Sequence, residues 1–325
     1  MKINQAIREF LEYTEVERGK AALTLRNYQF YLERFLSWID QQNKQLSNQK
    51  EAKPEFEIKK IENTEEINQE LVRQYRLYLT RFRDRSGGEL KKQTQNYHII
   101  ALRSFLKFLA FRGIASLSPE KVELIKAGDR QITFLEPEEV DNLLSRIDST
   151  KKNGLRDRAM LELLFSTGLR VSELTNLNFE QINLERGEMA ILGKGKKERI
   201  VFISDEATQW LKKYFLARGE SAGPLFRSNY GGKKAGRLTA RTVERIVKKY
   251  ALSAGIVKKV SPHTIRHSFA TDLLISGADL RSVQSLLGHS SVTTTQVYTH
   301  LTDQRLREVH QAFHGRNRKK SNNDV

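Results

Sequence analysis

The chain has 325 residues, 56 Lys and Arg against 39 Asp and Glu, a net charge of +17 and no cysteine. The lack of cysteine excludes a disulfide framework, a thiol nucleophile, an iron–sulfur cluster and a Cys-ligated zinc. No stretch approaches the roughly 18 apolar residues that span a bilayer, and the first residues carry no secretory leader, which predicts a cytoplasmic chain with no membrane anchor. A soluble chain this basic predicts a polyanionic partner, nucleic acid before an anionic membrane. Its length corresponds to about two domains. Both halves are basic: residues 1–130 hold 24 basic and 18 acidic residues (net +6), residues 131–325 hold 32 and 21 (net +11).

In chain order, Ile3, Ala6, Ile7, Phe10 and Leu11 form one apolar stripe at helical spacing, and Leu25, Tyr28, Leu32, Phe35, Leu36 and Ile39 form a second, predicting two short amphipathic helices. The polar stretch from Gln41 to Glu66 reads as a long surface loop or partly disordered insertion. Helices follow around Leu71–Phe82 and Thr94–Arg112. On the latter Tyr97, Ala101, Phe105, Phe108 and Leu109 are expected to face inward, while Arg103 and Lys107 are candidate phosphate contacts. Gly113 ends that helix, and the segment 115–133 reads as a linker.

The second half opens on a helix with Pro137, Glu138 and Glu139 in its first turn, followed by a very apolar helix over Arg158–Phe165. The β-like runs Gly187–Leu192 and Arg199–Ile203 flank Gly193-Lys194-Gly195-Lys196-Lys197, a hairpin with a basic tip. From Arg227 to Lys249 there are eight basic residues and one acid. Of these Arg241, Arg245, Lys248 and Lys249 fall on a helix starting near Thr239 and are candidates to grip DNA backbone or read bases.

Six of the seven histidines follow residue 260. Ser261 and Pro262 mark a helix start as N-cap and first residue, so His263 and Arg266 share a face at a helix N-terminus, a setting that favours an anion. The alternative for His263 and His267 is a metal pair, disfavoured by Arg266 between them, or simple packing. Leu286-Leu287-Gly288-His289 ends another helix, and Tyr298 follows nine residues after His289. Alone, Tyr298 reads as a half-buried core residue. Upstream, Thr167-Gly168-Leu169-Arg170 ends a helix, with Glu173 three residues on to hold the Arg170 guanidinium.

Taken together these motifs resemble the tyrosine recombinases, and within them the Xer site-specific recombinases that resolve chromosome dimers. The resemblance covers nearly the whole chain and implies a mainly α fold with a small β-hairpin or sheet, in two domains forming a C-shaped DNA clamp. It implies a helical core-DNA-binding domain over 1–114, departing from the family in its polar insertion 41–66, then a linker, a catalytic domain over 134–314 and a polar tail over 315–325. Six active-site positions are implied: Arg170, Lys194, His263, Arg266, His289 and the nucleophile Tyr298, with no metal and no cofactor. Tyr298 would attack the phosphate to give a 3′-phosphotyrosyl intermediate, on the way to a Holliday junction. The two arginines would offer forked donors to the phosphate oxygens, and Lys194 would protonate the leaving 5′-oxygen. His263 would accept a proton and His289 would bond the phosphate. Glu173 and His267 are expected to support the site, and Lys196 and Lys197 to touch DNA.

The amphipathic stretch with Leu306, Val309 and Phe313 either packs on its own domain or, as the resemblance implies, is passed to a neighbour in a homo- or hetero-tetramer on two DNA sites. The implied partners are double-stranded DNA with a specific site and a DNA translocase or paralogous recombinase, in the cytoplasm at the nucleoid. The rival readings are a mobile-element integrase with the same chemistry, a type IB topoisomerase, and a non-catalytic architectural DNA-binding protein.

Overall fold

The computed structural model describes residues 1–48, 60–84, 87–124, 133–193, 198–219, 222–228 and 236–288. The chain divides into two compact units, Met1–Asp129 and Arg130–Val325, each with its own apolar core.

Unit one contains α1 (Ile3–Val16), α2 (Ala22–Asn48), α3 (Gln69–Arg81) and α4 (Lys92–Phe111). Ile3, Ala6, Ile7 and Phe10 bury the stripe of α1 against Leu32, Phe35, Trp38 and Ile39 of α2 and Phe105, Leu106 and Leu109 of α4. Gly113 stops α4 at φ +68°, with Gly113 N–H bonded to Ala110 O and Ile114 N–H to Leu109 O. Three expectations are corrected. First, α2 is a long helix that runs through Gln41 to Asn48, into the stretch read as a loop. Beyond it, residues 60–66 are tied down. Asn43 exchanges two 2.9 Å hydrogen bonds with the Ile61 backbone, and Ile3 N–H and Thr64 N–H bond to Glu62 O and Met1 O. The polarity of this stretch hid the helix because Gln, Asn and Lys on an exposed face continue a helix as readily as they make a loop. Second, Tyr97 faces outward, 42% exposed, because it shares an edge with Gln93, which bonds its hydroxyl at 2.6 Å. Third, the front of the segment 115–133 is not all connection: Leu117 packs on this core and Val122 is fully buried in it.

Unit two is built around α6 (Lys152–Thr167), whose Ala159, Met160, Leu161, Leu163 and Leu164 are buried. Burial on so many sides explains why the sequence shows an apolar run rather than a stripe. Around it lie α5 (Pro137–Ser145), the short α7 (Val171–Asn176), α8 (Asp205–Arg218), α9 (Ala240–Ser253), α10 (Pro262–Ile275) and α11 (Leu280–Leu287). An antiparallel sheet of order β1 (Ile182–Asn183), β2 (Glu188–Leu192), β3 (Glu198–Phe202) pairs Ala190 with Ile200 and Leu192 with Glu198. Met189, Ile191 and Val201 turn inward, as alternation demands. Among the described residues no helix is long and apolar enough to cross a membrane.

Candidate active site

Three helix boundaries of unit two converge. α6 ends at Gly168, left-handed at φ +58°, and the chain turns at once through Leu169 and Arg170 into α7. α10 begins at Ser261, whose Oγ accepts from Thr264 N–H, and carries Arg266 one turn in. α11 ends at Gly288, φ +63°. The last carbonyls of a helix have no partner within it and form its negative pole. Here two arginines satisfy them: Arg266 Nη2 donates to Leu287 O at 2.6 Å, and Arg170 Nη2 donates to Gly288 O at 3.0 Å. Arg266 Nη1 also donates to Gly168 O at 2.7 Å, so the end of α6 supports the same cation. Arg266 is buried, at 3% exposure, and the carbonyl dipoles of Gly168 and Leu287 face its guanidinium. The Arg170 side chain is 36% exposed and opens onto a cleft of about 490 Å³ that is also lined by Asn176, Gln181 and Gly193.

Glu173 orients Arg170 as its spacing foretells. Its Oε1 accepts from Arg170 Nη1 at 2.8 Å and its Oε2 from the Arg170 backbone N–H at 2.9 Å. Burial pushes the Glu173 carboxyl up, but the hydrogen bonds and charge of Arg199 and Arg170 outweigh it and hold the group below its ordinary value. Arg199 is a residue the sequence reading passed over: Nη1 and Nη2 donate to Glu173 Oε1 and Oε2 at 3.0 and 2.9 Å. Its one sequence signal is its place at the end of the basic run that begins at Lys194. His263, exposed in the first turn of α10, stands edge-on to His267 with ring centroids 4.4 Å apart. Among the described residues no cluster of three His, Cys, Asp or Glu exists that would hold a metal.

Arg170, Glu173, His263, Arg266 and His267 are therefore carried by the start of α7 and the first two turns of α10, in one unit. Lys194, Lys196, Lys197, His289 and Tyr298 lie outside the described residues, as does the stretch with Leu306, Val309 and Phe313. On α9, Arg241, Arg245, Lys248 and Lys249 are all exposed, Lys249 lying over the Tyr250 ring at 4.8 Å. Two other members of the basic stretch are structural: Arg237 donates to Thr175 O, Leu177 O and Asn178 Oδ1, and Arg227 Nη2 donates to Ala222 O. On α4 Lys107 is exposed, whereas Arg103 is half-buried with its Nε enclosed.

Residues 133–305 match the model of the phage integrase family. Over 322 residues the chain is 36% identical to tyrosine recombinase XerD of Oceanobacillus iheyensis, covering 97% of this chain and 99% of that protein. The chain belongs to the phage integrase family of tyrosine recombinases. Its members cleave and rejoin DNA, and this chain is a site-specific recombinase of the Xer type. Tyrosine recombinase XerC of Pelobacter propionicus is 35% identical over 313 residues, 95% of each chain. The fold is shared with the Tn1549 transposon integrase in complex with transposon right end DNA, at TM-score 0.70 and 19% identity over 97% of this chain and all of that one. It is shared too with XerH site-specific recombinase bound to a palindromic difH substrate, at TM-score 0.66 and 24% identity over 95% and 85%.

Proposed function

We propose that this recombinase breaks one DNA strand with Tyr298, using Arg170 and Arg266 to hold the scissile phosphate. The supporting observation is the convergence of both guanidinium groups on the consecutive carbonyls Leu287 O and Gly288 O, one residue before His289 and ten before Tyr298. In this reading the Tyr298 Oη attacks phosphorus and the bond from phosphorus to the 5′-oxygen breaks. The phenol proton passes to His263, and Lys194 protonates the departing oxygen. His289 bonds a non-bridging oxygen, and the arginines stabilise the charge that develops there. A free phenol ionises near pH 10, so a nearby acceptor is needed at neutral pH. The 3′-phosphotyrosyl bond retains the phosphodiester energy, so the reverse attack by a partner strand's 5′-hydroxyl rejoins DNA without ATP.

The N-terminal domain, 1–114 followed by a linker to 133, grips DNA with Arg103 and Lys107. Lys196, Lys197 and the exposed basic face of α9 hold it from the catalytic domain, 134–314. His267 supports His263. The substrate is duplex DNA with a specific site, in the cytoplasm, and the role is chromosome or plasmid dimer resolution. That role is supported by the full-length similarity to proteins named XerD and XerC, which also favours a hetero-tetramer with a paralogue, joined through the C-terminal segment.

The test is covalent trapping. Wild type and Tyr298→Phe are incubated with a pool of nicked duplexes of randomised sequence, and protein-linked strands are recovered under denaturing conditions. Adducts with wild type alone, enriched for one sequence, support the reading. Retention of DNA without any adduct, or adducts with Tyr298→Phe, would overturn it.

A further inference from the structure

Three arginines meet at the end of α11, and the proposed chemistry employs two. The third, Arg199 of β3, is held by a carboxylate alone: its side chain is 14% exposed and both terminal nitrogens are bound, fork on fork, to Glu173. Its aliphatic stem and guanidinium lie against Gly288, so closely that a Cβ at Gly288 would stand 3.1 Å from Arg199 Cδ, Cζ and Nε. Arg199 cannot turn to a phosphate without stripping a buried carboxylate of its principal cation.

We propose that Arg199 is a positioning residue for strand cleavage: it fixes the Glu173 carboxylate and the Gly288 backbone, the two groups that orient Arg170. This inference rests on the reading of Arg170 as a phosphate ligand.

Each Glu173 oxygen is shared between the two arginines. Oε1 takes Nη1 of both, and Oε2 takes the Arg170 N–H and Arg199 Nη2. A carboxylate gripped along one edge by Arg199 presents its oxygens to Arg170 in a single orientation. Without Arg199 the carboxylate swings about its own stem, and Arg170 keeps only the Gly288 carbonyl as a second anchor. The Gly288 backbone also loses the side chain packed against it, so both anchors loosen together.

The pairing also sets the charge of Glu173. The charged groups facing it are Arg170 and Arg199, with Arg266 one carbonyl farther along α11; the described walls of the cleft hold no other titratable side chain. Remove Arg199 and burial, which pushes the carboxyl up, is opposed by Arg170 alone, so Glu173 takes up a proton at higher pH than in the wild type. A carboxylate held by one cation instead of two grips Arg170 less well, and Arg170 drifts from the phosphate.

The test uses the full chain carrying Arg199→Gln or Arg199→Lys, with Arg170→Lys as control, on the nicked duplex recovered by trapping. Adduct formation at saturating protein is followed at neutral pH, beside DNA affinity and the melting temperature of the DNA-free protein. A misplaced guanidinium predicts that Arg199→Gln slows cleavage about 10²-fold with affinity little changed. Arg199→Lys keeps the charge and the stem but serves one carboxylate oxygen, so its loss is intermediate, and it decides the question should Arg199→Gln fold poorly. Wild-type rates in both Arg199 variants, no recovery in Arg199→Lys relative to Arg199→Gln, or a loss of binding that accounts for the lost rate would overturn the proposal. If Arg170→Lys itself cleaves normally, the reading of Arg170 fails, a result separable from the failure of Arg199.

Discussion

Replacing Gly168 by alanine tests the junction on which Arg170 and Arg266, the arginines proposed to hold the phosphate, both depend. Gly168 ends α6 at φ +58°, and Gly219 ends α8 at φ +72°; in each the glycine N–H bonds back to the helix, to Leu164 O at 2.9 Å and Phe215 O at 3.1 Å. The left-handed backbone alone costs a side chain about 1–2 kcal/mol, and this applies to both positions. They differ in surroundings. A Cβ at Gly219 meets nothing within 4 Å, whereas one at Gly168 would stand 2.4 Å from Phe269 Cδ1 and 3.0 Å from Leu287 Cδ2. Relieving that overlap by moving a core ring costs about 1–3 kcal/mol more. Gly168→Ala is therefore expected to lose about 2–5 kcal/mol against about 1–2 for Gly219→Ala, read by urea unfolding with the slope checked for constancy. Because Gly168 O accepts from Arg266 and Leu287 O from the same guanidinium, only Gly168→Ala is expected also to slow covalent adduct formation on the trapped duplex. Equal destabilisation by the two substitutions, or full cleavage by Gly168→Ala, would refute the argument that Gly168 is held by close approach.

Glu173→Gln leaves Arg199 enclosed without its counter-charge, and is expected to cost about 3–5 kcal/mol of stability by chemical denaturation. Ser261→Ala removes the acceptor for Thr264 N–H and should cost about 1 kcal/mol by the same assay, with a slower cleavage step because α10 carries His263 and Arg266. Tyr250 donates to Asp157 Oδ2 at 3.2 Å, and burial, with the Asp157 charge, pushes its phenol up to about 12. The neutral form is favoured by folding, so this stabilisation is complete below about pH 10 and is lost as pH rises toward about 12; Tyr250→Phe should flatten the alkaline limb of a melting-temperature profile. Asp279 caps α11, held below its ordinary value by the Ser282 hydroxyl and then by backbone N–H groups. Its contribution is present above the ordinary aspartate value and is lost as pH falls through the depressed one. Asp279→Asn should weaken the acid dependence of unfolding.

Sequence alone determined the local decisions of this chain, because they are made by neighbouring residues. The stripes of α1 and α2, the proline and acidic start of α5, the Ser261 cap of α10 and the glycines that stop α4, α6 and α11 are all short-range signals with short-range causes. The pairing of Arg170 with Glu173 belongs with them, since it spans one helical turn. The extent of α2 was not legible, because polar residues continue a helix as well as they make a loop and only contacts such as Asn43 with Ile61 distinguish the two. The outward Tyr97 was hidden in the same way, since a ring on a helix edge is apolar whichever way it turns. What the tertiary structure decided is which distant groups share a carboxylate or a carbonyl. Arg199 meets Glu173 across 26 residues, Arg266 meets Gly168 across 98, and Arg170 meets Gly288 across 118. For Arg199 and Arg266 burial leaves the donor little water to turn to, so these bonds are worth making, and no pattern along the chain records that enclosure.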